Sequence, residues 1–272
     1  MSLQNWQATA FNPATESSNQ IHSDEMAKAY GFRGGLVPGV TISSYLMHPA
    51  TLAWGNDWLT RGCADIKILN PLYDGTNFEV QIVSSSDQKA NVRLIDADGT
   101  VNATGTLSLA NDLNPEPIYR GDPLITVNDE ISAATPENML TLQDNGMKAL
   151  GISWDDSHRM AFYLREEQDM AILHQPSQSG FAHGAFLLGI TNWVLAGNAY
   201  MNPWVHLQTK SQFVRAVEYA TDLIAECAVR DLFSKKGHDF VDVEVNIFEA
   251  DTHAPVMSST LRAIYRMRPA SD

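Results

Sequence analysis

A chain of 272 residues with 44% apolar side chains can bury one large core or two ordinary ones, which excludes an intrinsically disordered protein. Its 18 basic against 32 acidic residues give a formal charge of −14, which argues against a nucleic-acid or anionic-membrane surface, since such partners need clustered Lys and Arg. Cys63 and Cys227 stand far apart in apolar runs and read as buried thiols of a reducing cytoplasm, and no run approaches the roughly 18 apolar residues of a membrane span or carries the marks of a leader.

In chain order, residues 6–11 predict a short strand and 12–20 a polar loop. Ser23 then reads as a helix N-cap, with Asp24 and Glu25 in the first turn and Gly31 closing the helix, so His22 falls directly before a helix. Residues 39–53 are almost uncharged, the pattern of a helix buried on every side, which Pro49 is expected to kink or end. Four strands are predicted over 64–69, 76–84, 90–96 and 101–109, turning at Tyr73-Asp74-Gly75 and Asp98-Gly99.

Residues 111–137 carry Pro115, Pro117, Pro123 and Pro136 among acidic residues, the composition of an inter-domain connection. The same order of elements then returns: a strand at 159–164, a loop over 175–180, a buried helix at 184–199, and strands at 206–214, 222–232, 240–248 and 256–266. Placing Gly39 on Gly184 aligns the two halves as a tandem duplication. The predicted organisation is a first unit over 1–110, a linker over 111–137 and a second unit over 138–272. A sheet wrapped around one long apolar helix buries that helix all round, so the expected fold is α+β, a double hotdog of two such units. The second unit is shorter before its helix and shows no counterpart of Asn19-Gln20-Ile21-His22, which predicts a single reacting site on the first unit's loop.

A histidine in a loop serves as acid or base near neutral pH, and a glycine opening a helix leaves backbone N–H groups free to hold developing negative charge, which singles out His22 and Gly39. Each has a plainer reading: His22 as a loop-ordering ring bonded to backbone, Gly39 as a point of close packing. Asn19 reads equally as an orienting group or an Asx-turn. Ser43 and Ser44 are expected to back-bond along their helix, and His183-Gly184 to be a structural remnant. No Gly-rich phosphate loop, His-Glu metal pair, Cys cluster or serine elbow is present, so no metal is expected.

Ser17-Ser18-Asn19-Gln20-Ile21-His22 followed by Val37-Pro38-Gly39 resembles the MaoC-like dehydratases, whose best-known members are the (R)-specific enoyl-CoA hydratases. Their motif is a Gly-Asp-x-Asn-Pro-x-His loop, a short helix, and a Pro-Gly or His-Gly step into the central helix. Asn19, Ile21, His22, Pro38 and Gly39 match; the motif's aspartate falls on Ser17 and its proline on Gln20. The resemblance implies an enoyl- or 3-hydroxyacyl thioester of coenzyme A or a carrier as substrate, His22 as acid/base and the Gly39 N–H on the thioester oxygen. Asn19 with Ser17 or the neighbouring Glu16 would position the water. No cofactor is implied beyond coenzyme A as part of the substrate. Arg33, Arg61, Lys235 and Lys236 are candidates for its phosphates, against the ordinary reading of solvated surface cations. A hotdog thioesterase and a non-catalytic acyl-CoA-binding subunit are the alternatives, and both monomer and homodimer of double hotdogs stay open.

Overall fold

The computed structural model describes residues 2–110, 116–178 and 180–268. The first half runs β1 (Trp6–Thr9), α1 (Asp24–Ala29), α2 (Gly39–Trp54), α3 (Asn56–Arg61), β2 (Gly62–Ile68), β3 (Asn77–Ser85), β4 (Lys89–Asp96) and β5 (Val101–Leu109). The second runs α4 (Pro136–Asn145), β6 (Leu150–Trp154), α5 (Gly184–Asn198), β7 (Val205–Phe213), β8 (Thr221–Lys235), β9 (His238–Glu249) and β10 (Pro255–Arg266). Strands form where apolar residues alternate: Ala90, Val92 and Leu94 of β4 point to the core, while Lys89, Asn91 and Arg93 face out.

All ten strands join one antiparallel sheet in the order β1-β3-β4-β5-β2-β7-β10-β9-β8-β6. Read outward from the β2–β7 seam, the two sides correspond strand for strand, the arrangement of a double hotdog. Helices α2 and α5 pack on each other against the inner face of this sheet. Residues 40–51 of α2 are all buried, which is why that stretch carries no charge. The helix runs through Pro49 instead of ending there; burial of the whole segment 40–51, Leu46, Met47 and Ala50 included, offsets the ~3 kcal/mol that an interior proline costs. It ends at Gly55, whose φ of +53° favours glycine.

Three other elements differ from expectation. The outer strand of the second half is β6, not 159–164; that segment is a bent loop whose Met160, Ala161, Tyr163 and Leu164 are buried, and burial of a loop mimics a strand's apolar run. Helix α3 is six residues long, too short for a periodic pattern. Helix α4 lies where the linker was expected to end, started by the Thr135 side chain accepting the Asn138 N–H at 3.2 Å with Pro136 next in line. Residues 111–115 of the expected linker lie outside the described residues. From 116 onward the connection is fastened down: the Glu226 carboxylate, fully buried, accepts the N–H groups of Arg120, Gly121 and Asp122 at 2.7–3.1 Å. Among the described residues no helix is long and apolar enough to cross a membrane.

Removing that carboxylate strands three backbone donors. Glu226→Ala is expected to lower the unfolding free energy by about 1–3 kcal/mol in urea titration, and Glu226→Gln, which keeps an acceptor, by less.

Candidate active site

His22 closes a single turn of 3-10 helix, Gln20–His22, and its ring is fixed by what crosses it. The segment after α1 folds back so that Leu36 N–H donates to Ile21 O at 3.1 Å, and the Leu36 carbonyl lies 2.7 Å from His22 Nδ1. A carbonyl only accepts, so Nδ1 carries the hydrogen and Nε2 presents a lone pair. Gly35 makes this approach possible, since a Cβ there would stand 2.2 Å from the His22 carbonyl oxygen. Desolvation holds the imidazole below its usual range; the Leu36 bond works against this and the charge of Arg159 adds to it. His22 is thus a neutral ring whose basic nitrogen is Nε2.

His22, Asn19 and Gly39 line one cavity of about 200 Å³, closed on the far side by Asn192, Trp204 and His206 of the second half. Its remaining walls, among them Phe32, Ile42, Ile68 and Leu72, are mostly apolar, and none of the lining side chains is a carboxylate or a permanent cation. Asn19 ties the halves together: its Nδ2 donates to Trp204 O at 3.1 Å and its Oδ1 accepts the Trp204 N–H at 3.3 Å. The same Nδ2 reaches His22 Nε2 at 3.5 Å. The first N–H groups of α2, at Gly39 and Val40, have no intrahelical acceptor, and Pro38 offers no side chain to cap them. A Cβ on Gly39 would come within 3.1 Å of the His206 ring.

The other expected residues fall elsewhere. Ser17 accepts the Asn19 N–H at 3.2 Å and shapes the loop, and Glu16 is exposed; neither is a wall of the cavity. Asp24, the carboxylate nearest His22 in sequence, accepts the Gly35 N–H at 2.8 Å. Arg33 is exposed beside the wall residue Phe32, its guanidinium 4.2 Å from the Tyr73 ring centre. Arg61 pairs with Asp57 at 2.7 Å, at the opposite end of β2 from the cavity. Lys235 ends β8 and Lys236 opens the β8–β9 turn, three strand spacings or ~14 Å from β7. The four cations are not gathered into one cluster.

The second half does hold a counterpart of the His22 loop, contrary to expectation. His174 closes the 3-10 turn Ile172–His174, and its Nδ1 meets Phe181 O at 3.1 Å, three residues before Gly184, as Leu36 stands three before Gly39. His174 precedes its glycine by ten residues where His22 precedes Gly39 by seventeen, and that shortening hides the match. The legible signal is Asp169, at the motif's spacing of five before His174, although it is exposed and outside the cavity wall. This second cavity is nearly filled, with about 20 Å³ inside. Ser44 of α2, instead of back-bonding as Ser43 does, accepts the Ala185 N–H at 2.7 Å, and Met47 packs on Gly184. His183 caps α5 through Nδ1 and donates from Nε2 to Ala161 O.

No family model and no curated protein sequence matches this chain. Solved structures do. Rv0216 of Mycobacterium tuberculosis, described as a double hotdog, is 12% identical, with a TM-score of 0.56 over 97% of this chain and 96% of that one. A protein of Chloroflexus aurantiacus described as a MaoC-domain dehydratase is 10% identical, with a TM-score of 0.55 over 97% and 95%. The dehydratase domain of PpsC from Mycobacterium tuberculosis, solved with C12:1-CoA, is 10% identical, with a TM-score of 0.53 over 95% and 92%. Proteins described as thioesterases share the fold as well. The chain is a double hotdog protein, a fold its neighbours use for more than one reaction.

Burial holds the rings of His48, His183 and His206 down at about 3 and that of His174 at about 4. Folded, they stay neutral where the unfolded chain, with an ordinary value of 6.5, takes up protons. Their stabilisation is therefore complete above about pH 6.5 and lost as the pH falls toward about 4 for His174 and about 3 for the others, by up to ~1.4 kcal/mol per pH unit for each ring. Urea midpoints are expected to drop between pH 7 and pH 5, and His48→Gln to flatten that slope.

Proposed function

We propose that this protein is an acyl-thioester hydratase or dehydratase of the MaoC-like type, adding or removing water across the 2,3 double bond of a CoA- or carrier-bound acyl chain. One observation carries the reading: His22, with Nδ1 bonded to Leu36 and Nε2 left as its basic nitrogen, and Gly39, at the uncapped N-terminus of α2, line the same mostly apolar cavity. In hydration, Nε2 takes a proton from water as its oxygen bonds to C3, the thioester oxygen gathers the negative charge at the Gly39 N–H, and the imidazolium returns the proton to C2. Water is added with no proton left over, and one ring acts in turn as base and acid. Asn19 positions the ring through its grip on Trp204. Two free cysteines accord with a reducing cytoplasm as the place of action.

Thioester hydrolysis is the second reading, favoured by the lack of a carboxylate in the wall to share the acid–base work with His22. Both are decided in one experiment. Wild type is expected to deplete the enoyl absorbance of trans-2-enoyl-CoAs without releasing thiol, and His22→Ala to lose about 10²–10⁴-fold in kcat. Thiol release with the enoyl band intact would establish hydrolysis, and equal rates for wild type and His22→Ala would remove His22 from the chemistry.

A further inference from the structure

The wall opposite His22 holds a polar chain that the reaction above does not use. Asn192 lies on α5, half-buried; its Oδ1 is 3.1 Å from His206 Nδ1, and His206 Nε2 makes a short contact with Thr209 Oγ1 on β7. Burial keeps the ring neutral, so it has one N–H and one lone pair. The protonation pattern follows from the far end. Thr209 is 1% exposed, so its hydroxyl must donate within the protein, and among the described residues its one acceptor is His206 Nε2. Nε2 therefore accepts, Nδ1 carries the hydrogen, and that hydrogen is donated to Asn192 Oδ1. With its oxygen fixed on His206, the Asn192 carboxamide turns its NH₂ away from the ring, and among the described residues that NH₂ has no acceptor. Asn192 and Gly39 both line the cavity, and the imidazole that holds Asn192 is the same ring that packs on Gly39.

We infer that Asn192, contributed by the second half, donates from Nδ2 to the thioester carbonyl oxygen beside the Gly39 N–H, with His206 and Thr209 as positioning residues that set its orientation. The inference rests on the acyl-thioester reading of the cavity. It makes the oxyanion site a composite of both halves: a backbone donor from α2 and a side-chain donor from α5. The amide adds no proton to the balance, since it only shares the charge that grows on oxygen as water bonds to C3.

Asn192→Ala is expected to lower kcat for crotonyl-CoA about 10²-fold with little change in KM, the usual effect of losing one of two oxyanion donors. Asn192→Asp, of the same shape but with no NH₂, is expected to lose at least as much. Thr209→Val frees the ring to change tautomer and should lose part of the rate, and Thr209→Ser should recover it. A purely structural role would leave the carbonyl itself unmoved, so the deciding measurement is infrared. Crotonyl-CoA isotope-labelled at the thioester carbonyl, bound to His22→Ala so that turnover does not consume it, is expected to show a carbonyl band below that of the free ligand. Adding Asn192→Ala should return the band part of the way. An unmoved band, or full kcat in Asn192→Ala, overturns the role of Asn192 while leaving the thioester reading in place. Failure of crotonyl-CoA to bind the wild type overturns both.

Discussion

The antiparallel ladder between β2 and β7, Cys63 against Gln212 through Lys67 against Gln208, is the strand pairing that joins the two halves among the described residues. It makes ten strands into one surface and lays α2 and α5 against each other on that surface. The N-terminus of α2 meets β7 and the later turns of α5, and the N-terminus of α5 meets the middle of α2. A cavity at either helix start must have one wall from each half. The His22 cavity is a direct outcome, with a loop from one half facing Asn192, Trp204 and His206 from the other.

Much of this was legible in the sequence because the strongest signals are local. An uncharged stretch such as 39–53 can be stable in water only if surrounded, alternating runs such as Ala90 to Leu94 have one inner face, and the repeat of both patterns announces a duplication. The Asn19, His22 and Gly39 layout could be read from its resemblance to a family motif. What escaped has a common cause, contacts that the sequence does not bring together. Asn192, His206 and Thr209 are unremarkable one at a time, and only the seam places them opposite His22. Buried loop residues around Tyr163 look like a strand because burial, not extension, selects apolar side chains. Glu226 reads as a surface carboxylate in a strand until the connection between the halves is seen to fold its amides over it.

The two cavities share a frame and differ in what fills them. Both keep a histidine at the end of a 3-10 turn, an Nδ1 bond to the carbonyl three residues before a helix-opening glycine, and an apolar helix behind. The difference is made by small groups from the opposite helix. In the second cavity the Ser44 hydroxyl takes the helix-start amide and the Met47 methyl fills the space over Gly184; in the register that sets Gly39 on Gly184, those positions correspond to Gly189 and Asn192. A hydroxyl and a thioether on one side against a hydrogen and a carboxamide on the other separate a filled interior from an open one.

The link between Asn19 and Trp204 spans 185 residues. In a chain made from its N-terminus, the His22 loop and α2 exist long before β7 is available to close over them. Until then Phe32, Ile42 and Ile68 face water with no opposite wall, and the ordering entropy of so large a loop is still to be spent. The first half therefore passes through a stage in which an apolar surface is the future interior of the candidate site. Completion of the cavity and protection of that surface are one late event, so conditions that slow docking of the second half expose the chain to aggregation at the cavity wall.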